Sequence, residues 1–211
     1  METTPIRLVL VTPVLLDPAR FRSSLEAALA GGDVAAVILD LAGAGREAWR
    51  AAVLALGPVA QAANAAFLVR DHVGLVGEVP CDGAHVTGGA PEIGAALREL
   101  KPGYIVGAGD ATTRHAAMSL GECRPDYIFL GRLDPDEDVP ARLTLVEWWT
   151  ALFELPCVAL AAGDWDSVRE LTTAGADFIA LRDLIWGHPD GPGAAVGRAQ
   201  ALIADRSEAV S

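Results

Sequence analysis

The residues that could do chemistry in this sequence fall at or soon after the ends of short apolar runs. Arg70-Asp71, Arg132 and Arg182-Asp183 hold such positions, and so do Asp40, His85 and Asp110. Arginine grips phosphate or carboxylate through paired N–H donors. Histidine titrates near neutrality and can pass a proton as general acid or base. Arg70, Arg132 and Arg182 are therefore candidates for holding an anionic ligand, and His85 for acid–base work. The competing reading is that the arginines and aspartates pair with each other and that His85 is a packed, hydrogen-bonded core residue. His72 and His115 follow other runs without metal-ligand spacing to each other. Lys101 is the single lysine and so the single candidate for Schiff-base chemistry. Cys81, Cys123 and Cys157 form no C-x-x-C pair, which argues against structural zinc and against a disulfide framework. A reducing cytoplasm is the expected compartment.

These candidates need elements that bring them together. Apolar runs at 6–11, 34–39, 66–69, 83–86, 104–106, 127–130, 157–160 and 178–181 are hydrophobic throughout rather than alternating. That pattern suits strands buried on both faces of a parallel sheet. Helical stretches at 18–30, 46–56, 91–100, 112–120, 143–153, 165–174 and 193–204 lie between them. The first follows Asp17, an N-cap with proline at the first helical position. The segment 72–79 is short and glycine-interrupted, which argues against a helix there. Asp33, Asp82, Asp126 and Asp177 each stand just before a strand, 44 to 51 residues apart, or two strand–helix units. Their position marks them as turn and cap residues at the strand starts. Eight strands with intervening helices predict a single-domain (β/α)8 barrel over 1–211, near the short end for that fold. An open doubly wound sheet is the competitor, but no G-x-G-x-x-G follows the first strand.

In a barrel, catalytic and binding groups gather at the C-terminal ends of the strands. The loops after strands seven and eight often hold phosphate through backbone N–H groups. Gly163 and the His188-Pro-Asp-Gly191-Pro-Gly193 loop are the matching candidates here; a plain connection into the last helix is the alternative. The acidic loop Asp134–Pro140 reads as a solvated loop, with divalent-metal binding the sharper alternative. Trp148 and Trp149 sit mid-helix, where core packing or a contact with a second copy is expected.

Composition removes whole classes of function. With 52% hydrophobic residues the chain can build a large core, and it is not a disordered polymer. A net charge of −12 opposes non-specific binding to nucleic acid or anionic membranes. No apolar run reaches the 18 residues of a membrane span. The opening Met-Glu-Thr-Thr-Pro lacks the basic start of a signal peptide. The acidity does not exclude a small local anion site made by backbone N–H groups.

Several segments together resemble the thiamine phosphate synthase and thiazole tautomerase family. They are Leu8-Val-Leu-Val-Thr12, Asp82-Gly-Ala-His-Val86, Gly131 after Asp-Tyr-Ile-Phe-Leu, Ala174-Gly-Ala-Asp177 and Ile185-Trp-Gly-His-Pro189. Their order runs from about residue 6 to 204. The resemblance implies a (β/α)8 barrel that joins hydroxymethylpyrimidine diphosphate to a thiazole phosphate, with release of pyrophosphate and use of magnesium. It places a magnesium aspartate at Asp71 and a histidine at His85.

At other positions the sequence departs from the family pattern. Gln-x-Arg-x-Lys at the end of strand two becomes Ile38, Asp40 and Ala42. Asn-Asp at strand three becomes Arg70-Asp71, and a second magnesium aspartate falls near Ala90. The serine after strand five is Gly109, and the Thr-x-Thr-Lys loop after strand six aligns with the acidic loop. The paired glycines after strand seven become Ala161-Ala162, and Val-Ser at strand eight becomes Leu181-Arg182. The tautomerase histidine is Arg132. Two functions follow as expectations. One is a transferase in which Asp71 holds magnesium, His85 serves as acid or base, and Arg70, Arg132 and Arg182 replace the lost phosphate contacts. The other is a non-catalytic or repurposed barrel that binds a small phosphorylated ligand or a partner protein.

Overall fold

A computed structural model describes residues 5–14, 17–41, 43–133 and 139–209. Eight parallel strands close into one barrel in sequence order: β1 (Arg7–Val11), β2 (Val34–Leu39), β3 (Ala66–Arg70), β4 (Gly83–Val86), β5 (Ile105–Ala111), β6 (Tyr127–Leu130), β7 (Cys157–Leu160) and β8 (Phe178–Leu181). β1 closes the ring on β8 through Leu8↔Ile179 and its neighbours. The helices are α1 (Pro18–Ala30), α2 (Arg46–Ala62), α3 (Ala90–Leu100), α4 (Arg114–Gly121), α5 (Val139–Leu152), α6 (Trp165–Ala174), α7 (Asp183–Trp186) and α8 (Pro192–Ala209). A 3-10 turn, Val73–Leu75, stands between β3 and β4.

The period of two along each strand splits the apolar residues into two cores. Leu8, Leu10, Val37, Leu39, Phe67, Val69, Ile128 and Leu130 face outward and pack under the helices with Trp49, Leu56 and Trp149. Val9, Val11, Ile38, Leu68, Phe129, Val158 and Leu160 fill the barrel. That double burial is why the strands read as unbroken apolar runs.

β5 is longer than its apolar run, because Gly107, Gly109 and Asp110 interrupt the hydrophobicity without interrupting the strand. Gly107 leaves room inside the barrel: a Cβ there would lie 2.0 Å from the Tyr127 ring. α2 continues past residue 56 with Pro58 inside it, and α7 is a short helix the sequence did not announce.

The four strand-start aspartates are not helix caps. Three of them accept a backbone N–H from the preceding strand: Asp82 from Phe67 at 2.7 Å, Asp126 from Val106 at 2.7 Å and Asp177 from Cys157 at 2.8 Å. Asp33 instead holds the Arg7 guanidinium at 2.6 and 2.8 Å. Each thus ties an even-numbered strand to the odd-numbered strand before it, which explains their spacing of two units. Lys101 pairs with Asp126 at this same N-terminal end. The mouth is at the other end, so the single lysine is a structural partner there rather than a Schiff-base group.

Candidate functional site

The inward alternation that buries Ile38 and Leu68 carries one step further to Asp40 and Arg70. On β8 the same alternation carries Ala180 to Arg182. The three meet at the C-terminal mouth. One carboxylate oxygen, Asp40 Oδ2, accepts from Arg70 Nη1 at 3.1 Å and from Arg182 Nη2 at 2.9 Å. The Asp40 side chain is 1% exposed, against 15% for Arg70 and 14% for Arg182. Its other oxygen, Oδ1, is buried and has no hydrogen-bond partner. The Asp40 backbone N–H is held by the buried hydroxyl of Thr12, at 2.9 Å, which fixes the end of β2 against β1. Arg182 also donates Nη1 to the carbonyl of Leu133 at 2.6 Å, so one guanidinium spans from the end of β2 to the segment after β6.

Below this cluster, His85 is fully buried in the barrel. Its Nδ1 lies 2.9 Å from the Tyr127 hydroxyl, and the Phe129 ring meets its edge at 5.0 Å. Burial pushes His85 down to about 4, with Asp71 opposing the shift and Arg70 adding to it. Burial likewise pushes the Tyr127 phenol up. Both groups are neutral at pH 7. His85 Nε2 has no hydrogen-bond partner, and a Cβ at Gly109 would come within 2.7 Å of it.

Asp71 follows β3 in the left-handed region, φ 57°. Thr87 donates to it twice, from its backbone N at 2.6 Å and its hydroxyl at 2.5 Å. Arg70 Nε stands 3.6 Å from Asp71 Oδ2. The Asp71 side chain keeps 40% exposure, so it lies at the open rim. Among the described residues no three His, Cys, Asp or Glu side chains gather as a metal cluster.

The other expected residues sit farther out. Arg132 is exposed after β6, and Gly163 is exposed after β7 with open space around its Cα. His188 accepts from the Asp190 N–H at 3.2 Å and meets the Trp165 ring edge-on at 5.8 Å. Gly191, φ 85°, donates its N–H to the His188 carbonyl at 3.0 Å, and Pro192 has none to give. A Cβ at Gly193 would sit 2.7 Å from the Ala27 carbonyl, so that glycine permits α8 to approach α1. The 191–193 stretch thus forms a turn and a helix contact. His72 stacks on Trp49 at 4.1 Å, and His115 is exposed on α4. Trp149 is buried and bonds the Leu155 carbonyl, while Trp148 lies under the Arg114 guanidinium. The aspartates and Glu137 of the acidic loop lie outside the described residues, as does Ala42.

Sequence reasoning missed Thr12, Thr87 and Tyr127 as partners of Asp40, Asp71 and His85. It also missed Arg142 in the first turn of α5, which is buried and donates to the Leu160 carbonyl at the end of β7. Burial pulls the Arg142 pKa down. The only signal for the threonines was their place at a strand end, and Arg142 had none.

The architecture and the polar mouth define a (β/α)8 barrel of the kind whose ligands meet the C-terminal strand ends. The thiamine monophosphate synthase family model matches residues 8–185. The chain belongs to that family. It is 39% identical over 197 residues to the thiamine-phosphate synthase of Rhodospirillum centenum, covering 92% of this chain and 95% of that protein. The thiamine-phosphate synthase of Hyphomonas neptunium is 37% identical over 206 residues, 93% of each. Among solved structures, thiamine phosphate pyrophosphorylase from Pyrococcus furiosus superposes with a TM-score of 0.78 at 22% identity. That match covers 97% of this chain and 98% of the other and shows the shared barrel. No helix among the described residues is long and apolar enough to cross a membrane.

Proposed function

We propose that this barrel serves thiamine biosynthesis by binding a phosphorylated thiamine precursor at its mouth, and that it couples hydroxymethylpyrimidine diphosphate to thiazole phosphate slowly or not at all. The observation that carries the reading is the convergence of Arg70 and Arg182 on a single oxygen, Asp40 Oδ2. Two guanidinia already aimed at one oxygen are the arrangement that holds a phosphate oxygen. Family resemblance puts arginine, asparagine and serine where this chain has Asp40, Arg70 and Arg182. The net charge of the three positions is one positive in both cases, with the cations moved to β3 and β8.

Coupling asks for more than phosphate binding. The developing charge on a diphosphate leaving group needs additional cations and N–H donors. The positions that resemblance assigns to them hold Ala42, Gly109, Ala161 and Ala162. Arg132, exposed after β6, and Gly163, exposed after β7, would reach the far end of a ligand. His85, neutral and sealed against Tyr127, acts as a packing residue of the barrel floor rather than as a proton carrier. Asp71 is the residue that would hold magnesium at this mouth. Thr87 occupies one lone pair on each of its oxygens, which would leave one on each for the ion. That suits an ion carried mainly by substrate phosphates.

Calorimetric titration with the two precursors and magnesium, with a turnover assay on the same preparation, tests the reading. Binding of thiazole phosphate without thiamine phosphate formation is the expected result. Rapid formation of thiamine phosphate overturns the slow-coupling half. No binding of either precursor overturns the whole.

A further inference from the structure

Thr87 follows β4 directly and donates to both oxygens of Asp71. Its backbone N–H meets Oδ1 at 2.6 Å, and its hydroxyl meets Oδ2 at 2.5 Å. The Asp71 N–H in turn donates to the His85 carbonyl at 3.0 Å. We infer that Thr87 is a positioning residue, which presets the Asp71 carboxylate to receive a magnesium ion carried in on a diphosphate. The inference rests on the phosphate-binding reading and adds to it the part of the mouth that takes the ion.

Two donors from one residue fix more than a distance. One bond to each oxygen sets the plane of the carboxylate and stops rotation about its last torsion. Without them the group could turn, since the Asp71 side chain is 40% exposed. Aspartate tolerates the left-handed backbone found here, φ 57°. Thr87 is itself held in place. A Cβ at Gly109 would come within 3.2 Å of Thr87 Cγ2, so that glycine leaves the methyl group room against β5. The hydroxyl is thereby aimed from the end of β4 toward the end of β3. Each Asp71 oxygen accepts one proton from Thr87 and keeps one lone pair for the ion. Among the described residues no His, Cys, Asp or Glu cluster stands ready to share that ion. A lone carboxylate working beside substrate phosphates gains most from being oriented in advance.

Inorganic pyrophosphate is the probe, titrated calorimetrically with and without magnesium at one fixed ionic strength. The proteins are the wild type, Thr87→Val, Thr87→Ser and Asp71→Asn. Valine keeps the shape and the backbone donor but removes the hydroxyl, and serine keeps the hydroxyl. Magnesium is expected to tighten pyrophosphate binding to the wild type. Thr87→Val should show that gain reduced by about tenfold, and Thr87→Ser should recover it. In Asp71→Asn the gain should be lost, and adding Thr87→Val should change nothing further, because the threonine acts through the aspartate. A residue that merely tied β3 to β4 would lower the melting temperature and leave the gain intact. A folded Thr87→Val with the wild-type gain therefore overturns the inference. So does a wild type whose pyrophosphate affinity is indifferent to magnesium, whether or not any variant folds, and in both cases phosphate binding itself stands. Failure to bind pyrophosphate in either condition also overturns it. Titration of thiazole phosphate into the same preparation then decides the phosphate-binding reading separately.

Discussion

His85 Nδ1 and the Tyr127 hydroxyl lie 2.9 Å apart in the interior of the barrel, sealed from water by Phe129 and by the glycines of β5. The pair replaces what would be aliphatic packing elsewhere in the ring. A neutral histidine in that position makes folding sensitive to pH.

His85 is held at about 4 in the folded protein by burial, against about 6.5 when unfolded. A depressed folded pKa gives stability that is full above 6.5 and is lost as pH falls toward 4. The expected loss across that window is on the order of 3 kcal/mol. Urea unfolding at pH 7.5 and pH 4.5 measures it. His85→Gln should flatten the difference; an undiminished difference in that variant would assign the effect to other groups. Asp33, whose pKa is lowered by its hydrogen bond from Arg7, acts only below this window.

Gly107 is small because Tyr127 occupies its side-chain space. In Gly107→Ala the new Cβ would meet the ring 2.0 Å away, and the ring is enclosed by the barrel wall. A loss of about 2 kcal/mol is expected in denaturant unfolding, the ordinary cost of overpacking. A neutral result would mean that Tyr127 does not fill the barrel as described.

The strand-start aspartates should differ in weight. Asp177→Ala leaves the Cys157 N–H without its charged acceptor and should cost about 2 kcal/mol. Asp33→Ala removes a half-exposed pair with Arg7 and should cost less than about 1 kcal/mol. Equal losses would contradict the strand-tie role assigned to Asp177.

Much of the barrel is legible in the sequence because burial on both faces writes each strand as an apolar run. β5 is only half visible, since its interior positions are glycines that make room for the aromatic residues of β4 and β6. The mouth is harder to read for a different reason. Arg70 and Asp40 are 30 residues apart and Arg182 and Asp40 are 142 apart, so strand-end position shows that they share a rim but not that they share one oxygen. His85 and Tyr127 are 42 apart, and their contact depends on Gly107.

Arg182 bridges Asp40 and the Leu133 carbonyl, so Arg182→Gln strips a buried carboxylate of one of its two cations. A loss of about 3 kcal/mol is expected, as for a broken buried ion pair. Phosphate affinity of the folded protein should fall by about tenfold or more. Unchanged affinity would remove Arg182 from the site.

The central claim is that Arg70 and Arg182 hold the ligand's phosphate, and a crystal structure grown with thiazole phosphate tests it most directly. The account predicts phosphate oxygens within hydrogen-bond reach of both guanidinia, with Asp40 still between them. A phosphate held instead by the Gly163 and His188 loops, with Arg70 and Arg182 bound only to Asp40, would contradict it.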